Sequence, residues 1–193
     1  MEKAQLEKLY LEDGKSIAEI AACLKCTPHK VAYWLYKYDI PRRSISQGVY
    51  LKKHPTGDPF TIKPIRSIED AWLQGLGIGL YWGEGNKKNK NSVRLGNTDP
   101  ALINAFMDFL IKLYGVKRED FRFGLQIFTD IDTAEALEYW TKCLGVNASQ
   151  FGRITVTISG SLGTYRHKSQ YGVVTVHYHN TKLRDSIVSL LPR

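Results

Sequence analysis

Apolar residues recur with two different periods along this chain, and the change of period divides it. Near the N-terminus the spacing is helical. Leu6, Leu9 and Tyr10 form a first stripe. Ser16 is placed to cap a second helix over residues 17–24, with Glu19 completing a capping box, and Ile17, Ile20, Ala21 and Leu24 keep the 3.6-residue period. Thr27 and Pro28 open a third helix that turns Val31, Leu35 and Tyr38 inward, and Ile40-Pro41 ends it. From about residue 68 helical and alternating segments follow one another. Helices are predicted over 68–82, 100–114 (capped by Asp99), 133–144 and 181–191, and strands over 92–97, 121–128, 153–159 and 173–179. Between the two regions, Pro55, Pro59 and Pro64 and a scatter of Ser and Gly argue against a continuous element. The predicted organisation is a small all-α domain (1–45), a basic linker (46–68) and an α+β domain with roughly four strands (69–193).

Three short helices with a tight turn between the second and third describe a helix-turn-helix, and the string from Ser16 to Arg43, SIAEIAACLKCTPHKVAYWLYKYDIPRR, resembles that family. In such folds the third helix enters the major groove of duplex DNA. His29, Lys30, Tyr33, Trp34 and Lys37 are the residues it would turn outward, a basic and aromatic face. A helical bundle used for protein contacts is the alternative. Arg42 and Arg43, at the exit of this domain, extend the basic character into a segment that either tracks the phosphate backbone or serves as a solvated tether.

The strands of the larger domain alternate strictly. One set of positions is apolar: Val93 and Leu95; Phe123, Leu125 and Ile127; Ile154, Val156 and Ile158; Val174, Val176 and Tyr178. The other set holds Ser92, Arg94, Arg122, Gln126, Arg153, Thr155, Thr157, Thr175, His177 and His179. Period-two alternation puts helices on one side of the sheet and water on the other. That wet side carries no carboxylate. It offers groups that bond phosphates and base edges, although a plain solvent face has the same alternation.

Net charge adds weight to a polyanionic partner. The chain carries 27 Lys and Arg against 19 Asp and Glu, a formal +8. No apolar run reaches the roughly 20 residues of a membrane helix, and the first residues lack the apolar core of a secretory signal, so a cytoplasmic, nucleoid-associated protein is expected. The three cysteines do not form a disulfide framework. Cys23 and Cys26 form a C-x-x-C pair with His29 nearby. No fourth ligand stands at zinc spacing, and Cys26 reads as a small core residue in the turn.

The 68–82 helix is the most distinctive segment. Gly75, Gly79 and Gly83 recur every fourth residue and line one face, the pattern that lets a second helix approach backbone to backbone. Leu76, Ile78, Leu80 and Tyr81 fill the rest, so the helix is expected to be buried with a close partner. Glu84 ends it as its sole terminal carboxylate. The segment Gly77 to Gly85, GIGLYWGEG, resembles the LAGLIDADG motif of homing endonucleases. The basic stretch Asn86 to Lys90, with Lys87 and Lys88 as phosphate contacts, and then SVRLGNTDPALINAFMDFLIKLYGV (92–116), continue that resemblance, which covers most of residues 70–191. Trp82 stands where the family's first acid usually stands, and Gly77 replaces its leading leucine.

The resemblance implies a LAGLIDADG-type mixed αββα sheet-and-helix domain that binds double-stranded DNA and cleaves phosphodiester bonds. A single motif implies a homodimer through Gly75, Gly79 and Gly83, bringing two Glu84 carboxylates together. Mg²⁺ would be held by Glu84 with the Gly83 carbonyl as an extra ligand. Lys182, Lys168 and His179 are the candidates for a basic group near the phosphate. A non-cleaving transcriptional regulator on the same fold is the alternative, and an RNA-binding module is a third reading.

Overall fold

The computed structural model describes residues 1–159 and 169–192. The chain divides into two compact units, Met1–Pro59 and Phe60–Arg193.

The first unit follows its caps. Helix α1 (Lys3–Glu7) continues as a π-helical turn, Lys8–Glu12. Helix α2 (Ile17–Cys23) begins with the Ser16–Glu19 capping box, and α3 (Pro28–Lys37) begins at Thr27, whose side chain accepts from the Lys30 N–H. Leu6, Tyr10, Ile20, Ala21, Val31, Leu35 and Ile40 form its buried core. Half-buried Cys26 packs on that core from the turn between α2 and α3, while Cys23 is exposed.

The proposed linker is not irregular throughout. Helix α4 (Ile45–Lys53) starts on a second capping box, Ser44 with Gln47. The prolines punctuate the ends of this stretch, at Pro41 and Pro55, and leave a proline-free run between them in which a capped helix propagates. None of its residues is buried. Nor does the rest of the linker stay outside the second unit. Phe60 is buried in that unit's core, and the N–H groups of Thr61 and Lys63 donate to the carbonyls of Tyr114 and Leu113.

The second unit is mixed α+β: α5 (Ile68–Glu84), β1 (Val93–Asn97), α6 (Pro100–Tyr114), β2 (Arg122–Phe128), α7 (Thr133–Leu144), β3 (Thr155–Thr157), β4 (Val173–Tyr178) and α8 (Thr181–Ser189). Only its last four elements run α–β–β–α, because a helix follows each of the first two strands. The four strands lie in the order β1-β4-β2-β3. The β1/β4 and β4/β2 pairs are antiparallel, and β2/β3 is parallel, as a connection through α7 requires. Val93, Leu95, Phe123, Leu125, Ile127, Val174, Val176 and Tyr178 are buried beneath the helices, as the alternation predicts. Strand β3 and the residue after it depart from it. Val156 and Ile158 are 51% and 69% exposed, at a three-residue strand on the edge of the sheet.

Helix α5 also differs from expectation. It is not buried all round. Gly77 and Tyr81 are its buried residues, and Gly77 faces α6 so closely that an added Cβ would lie 2.1 Å from a Phe109 ring carbon. The Tyr81 ring stacks on Phe106 with centroids 5.9 Å apart. On the opposite side Ile68, Trp72 and Trp82 are exposed, and a Cβ added at Gly75, Gly79 or Gly83 would meet nothing within 4 Å. The two sets of glycines therefore have different roles: Gly77 admits α6 within the chain, whereas the Gly75/Gly79/Gly83 stripe lies open. Alanine scanning separates them. Gly77→Ala is expected to lower stability in urea denaturation by about 2 kcal/mol, through overpacking against Phe109. Gly75→Ala is expected to leave stability unchanged or raise it by up to about 1 kcal/mol, through helix propensity.

Candidate nucleic-acid interface

The end of α5 is built to hand the chain onto the sheet edge. The Gly85 N–H donates to the Tyr81 carbonyl (2.9 Å), Gly85 bridges Leu95 of β1, and the Asn86 N–H donates to the Arg94 carbonyl (2.9 Å). A Cβ at Gly85 would lie 2.3 Å from the Tyr81 carbonyl oxygen, so only glycine makes this turn without displacement. Glu84, the last residue of α5, is exposed, and its side chain makes no hydrogen bond or ion pair among the described residues. Its carboxyl lines a concavity of about 450 Å³ on the wet face of the sheet.

Strand register arranges that face in rows. Arg94 pairs with His177, which pairs on its other side with Arg122. The next row is Gly96, Thr175 and Gly124, and beyond it Gln126 pairs with Thr155. Glu84, Arg94, His177, Thr175, Gln126 and Thr155 all line the one concavity. A second hollow of about 440 Å³ lies alongside, sharing His177 and Gly124 and adding Arg122 and His179.

The two arginines are held differently. Arg94 Nε donates to Ser92 Oγ at 2.7 Å, which leaves its terminal nitrogens to the concavity. Arg122 folds back, donating from Nη1 to the carbonyls of Glu119 and Phe121. Ser92 is not on the wet face: it is fully buried, because Asn89 Oδ1 accepts both its N–H and its hydroxyl at 3.0 Å. The basic loop 86–91 is pinned from α8, where Arg184 donates to the carbonyls of Lys87 (2.6 Å) and Asn89 (3.1 Å). Lys88 is exposed, while Lys87 Nζ reaches back to the Trp82 carbonyl at 2.6 Å. Thr157 accepts a bond from Gln126 Nε2, and Arg153 is exposed on the approach to β3 without lining either hollow.

Burial, with the Arg94 charge and His179 adding to it, pushes the His177 pKa down to about 4. His177 is therefore a neutral hydrogen-bonding group near pH 7, and the charge of its row resides on the arginines. Of the three candidates for a basic group near Glu84, exposed His179 lines the second hollow, exposed Lys182 lies on the first turn of α8 and lines neither, and Lys168 falls outside the described residues.

In the first unit, α3 exposes His29, Lys30, Tyr33 and Lys37 together. Trp34 is half-buried instead. It packs on the unit's core and on Tyr38 (centroids 5.2 Å apart), with Lys37 Nζ 4.6 Å from its ring centroid. Tyr36, 85% exposed, shows no apolar periodicity that would flag it in the sequence. Arg42 is exposed. Arg43 is committed to the fold: its guanidinium lies over the Tyr10 ring (4.1 Å to the centroid) and donates to the carbonyls of Tyr10, Gly14 and Lys15. Its side chain ties the α1–α2 connection to the residues after α3, and none of those contacts is local in sequence.

Among the described residues no three or more His, Cys, Asp or Glu side chains converge as a metal site, and no helix is long and apolar enough to cross a membrane. No protein-family model, curated protein or solved structure matches this chain.

The depressed His177 pKa fixes a stability profile. The unfolded chain takes up a proton near pH 6.5, whereas the folded chain resists until about pH 4. This residue's contribution is therefore constant above about pH 6.5 and is lost as the pH falls from there toward 4. Melting curves of His177→Gln and wild type, measured between pH 7.5 and 4, are expected to show a shallower acid decline in the variant. Parallel declines would refute the assignment.

Proposed function

We propose that this protein is a homodimeric DNA endonuclease of LAGLIDADG type, with the helix-turn-helix unit as a second DNA-reading module on the same chain. One observation carries the reading. The free carboxylate at the tip of an open, glycine-striped helix shares a concavity with Arg94, His177, Thr175 and Gln126. A lone acid beside cationic and hydrogen-bonding groups suits a phosphodiester better than it suits a neutral or cationic ligand.

The open face of α5 supports the dimer. An exposed line of Ile68, Trp72, Gly75, Gly79 and Gly83 is costly to leave in water and is shaped for close helix approach. Pairing two copies through that face would bring two Glu84 carboxylates together about a two-fold axis. Among the described residues that line this concavity Glu84 is the single carboxylate, which is too few oxygens for a cation site, and the pair supplies the second. The donors are hard oxygens, as Mg²⁺ requires: Glu84 and the Gly83 carbonyl of each copy would hold the ion, which when bound activates water and neutralises phosphate charge. The chain's own residues then divide the remaining work. Arg94 holds the phosphate, neutral His177 and Gln126 donate hydrogen bonds, and Lys87 and Lys88 engage the flanking backbone. The exposed α3 residues His29, Lys30, Tyr33 and Lys37 read a separate stretch of duplex.

Trp82, at the position of the family's other acid, favours the non-cleaving regulator, and the same experiment decides between them. Incubation with Mg²⁺ and a duplex library that includes the gene's own flanking DNA is expected to give cleavage at a long, roughly palindromic site. Glu84→Gln is expected to abolish cleavage with binding intact. Binding without cleavage across Mg²⁺, Mn²⁺ and Ca²⁺ would assign the regulator role instead.

The interface has its own test. A Cβ at Gly79 meets nothing within 4 Å in the isolated chain and the position is exposed, so Gly79→Leu is expected to give a folded monomer in sedimentation, where wild type is expected to sediment as a dimer. A Gly79→Leu protein that still dimerises like wild type would exclude this helix pair.

A further inference from the structure

Within the concavity beside Glu84, charge, shape and support are unevenly distributed, and all three converge on one place. The positive charge is Arg94, the one arginine among the described residues that line this hollow. The shape comes from the adjacent row, where Gly96 and Gly124 flank Thr175 on neighbouring strands, so the floor is nearly bare backbone. A Cβ added at Gly124 would meet only His177 Nε2, at 3.4 Å, so no contact at the first side-chain atom obliges this strand position to be glycine. Glycine inside a strand costs stability and often marks a place where a ligand approaches the backbone closely. The support is a buried polar chain behind Arg94. Asn89 Oδ1 accepts from Ser92 Oγ, and Ser92 Oγ accepts from Arg94 Nε. The loop holding Asn89 is fastened by Arg184, whose side chain is only 13% exposed. A guanidinium fixed through Nε keeps its outer nitrogens aimed, so little rotamer entropy is lost on contact.

We propose that this hollow is a seat for one phosphodiester group of bound DNA, clamped by Arg94 with His177 beside it, floored by Gly96 and Gly124, and dependent on Ser92 as the residue that positions the clamp. The proposal rests on the nucleic-acid reading above and goes further, singling out Arg94 from the other basic residues of the sheet and giving Gly124 a role in recognition. Arg122, tied to two carbonyls of its own strand entry, lies outside the seat. Placed beside Glu84, the seat also holds the phosphate nearest the carboxylate.

The test uses the full chain and a fluorescein-labelled random-sequence 30-bp duplex, with anisotropy read over a range of KCl concentrations and melting curves taken in parallel. Gly124→Leu is expected to melt at or above the wild-type temperature and to bind at least tenfold more weakly. Arg94→Gln is expected to lose at least tenfold in affinity and to lower the salt slope by about one per bound copy, about two for the dimer. Ser92→Ala, which keeps the Arg94 charge and removes only its anchor, is expected to weaken binding several-fold with the slope unchanged. Should Gly124→Leu fail to fold, the contrast in salt slope between Arg94→Gln and Ser92→Ala still decides. Wild-type binding with no loss in folded Gly124→Leu, or with an unchanged slope in Arg94→Gln, overturns the seat alone. Absence of duplex binding by wild type overturns the nucleic-acid reading together with it.

Discussion

The contact between Gly77 and the Phe109 ring governs the second unit. It draws α5 against α6 at a distance no side chain would permit, and in doing so fixes the rotation of α5 about its own axis. Everything else on that helix follows from the rotation. Tyr81, one turn on, is buried against Phe106, and its hydroxyl donates to the Asn86 carbonyl just beyond the helix end. Gly75, Gly79 and Gly83 are turned away from the core, and Glu84 is delivered to the rim of the wet face. A rotation of one residue, about 100° in a helix with 3.6 residues per turn, would bury the stripe and aim the carboxylate elsewhere. The helix thus serves two faces at once, one already filled by α6 and one vacant.

A division of labour also runs through the polar residues. Some are spent on holding the molecule together: Arg43 on three carbonyls and a tyrosine ring, Arg184 on the 86–91 loop, Arg122 on its own strand entry. Others are left to the surface, among them Glu84, Arg42 and Lys88. Arg94 belongs to both groups, anchored by one nitrogen and open at the rest. Fixing an arginine in this way costs flexibility once, on folding, and spares that cost when a ligand arrives. His177 complements it. Its burial, with the Arg94 charge beside it, keeps it neutral, so the face offers hydrogen bonds as well as charge.

Local chemistry made much of this molecule legible in one dimension. The capping residues Ser16, Thr27 and Asp99 begin helices α2, α3 and α6, and the bounds of α6 and α7 follow directly from the apolar period. Alternation gave the buried face of three strands correctly. It failed at β3 and just beyond it, where apolar Val156 and Ile158 are exposed, because alternation reports which face could be buried and not whether anything packs over it. The stretch after Arg43 departs from its proline-and-glycine pattern for a related reason. Prolines mark where helices cannot continue, yet nothing in their count shows that the run between them is long enough for α4, or that Phe60 leaves the chain's surface for the core.

The sequence by itself determined most of the elements outside the 46–68 stretch, the absence of carboxylates from the outward strand positions and the glycine spacing of α5, since each of these depends on residues within a turn or two of one another. Tertiary structure decided which glycines face a neighbour, which arginines remain available, and which side chains share a concavity with Glu84. Those outcomes depend on contacts between residues far apart in the chain. Gly77 with Phe109, Arg43 with Gly14, and Arg184 with Lys87 are pairs of this kind, and neither periodicity nor charge count records which of two similar residues will find its partner.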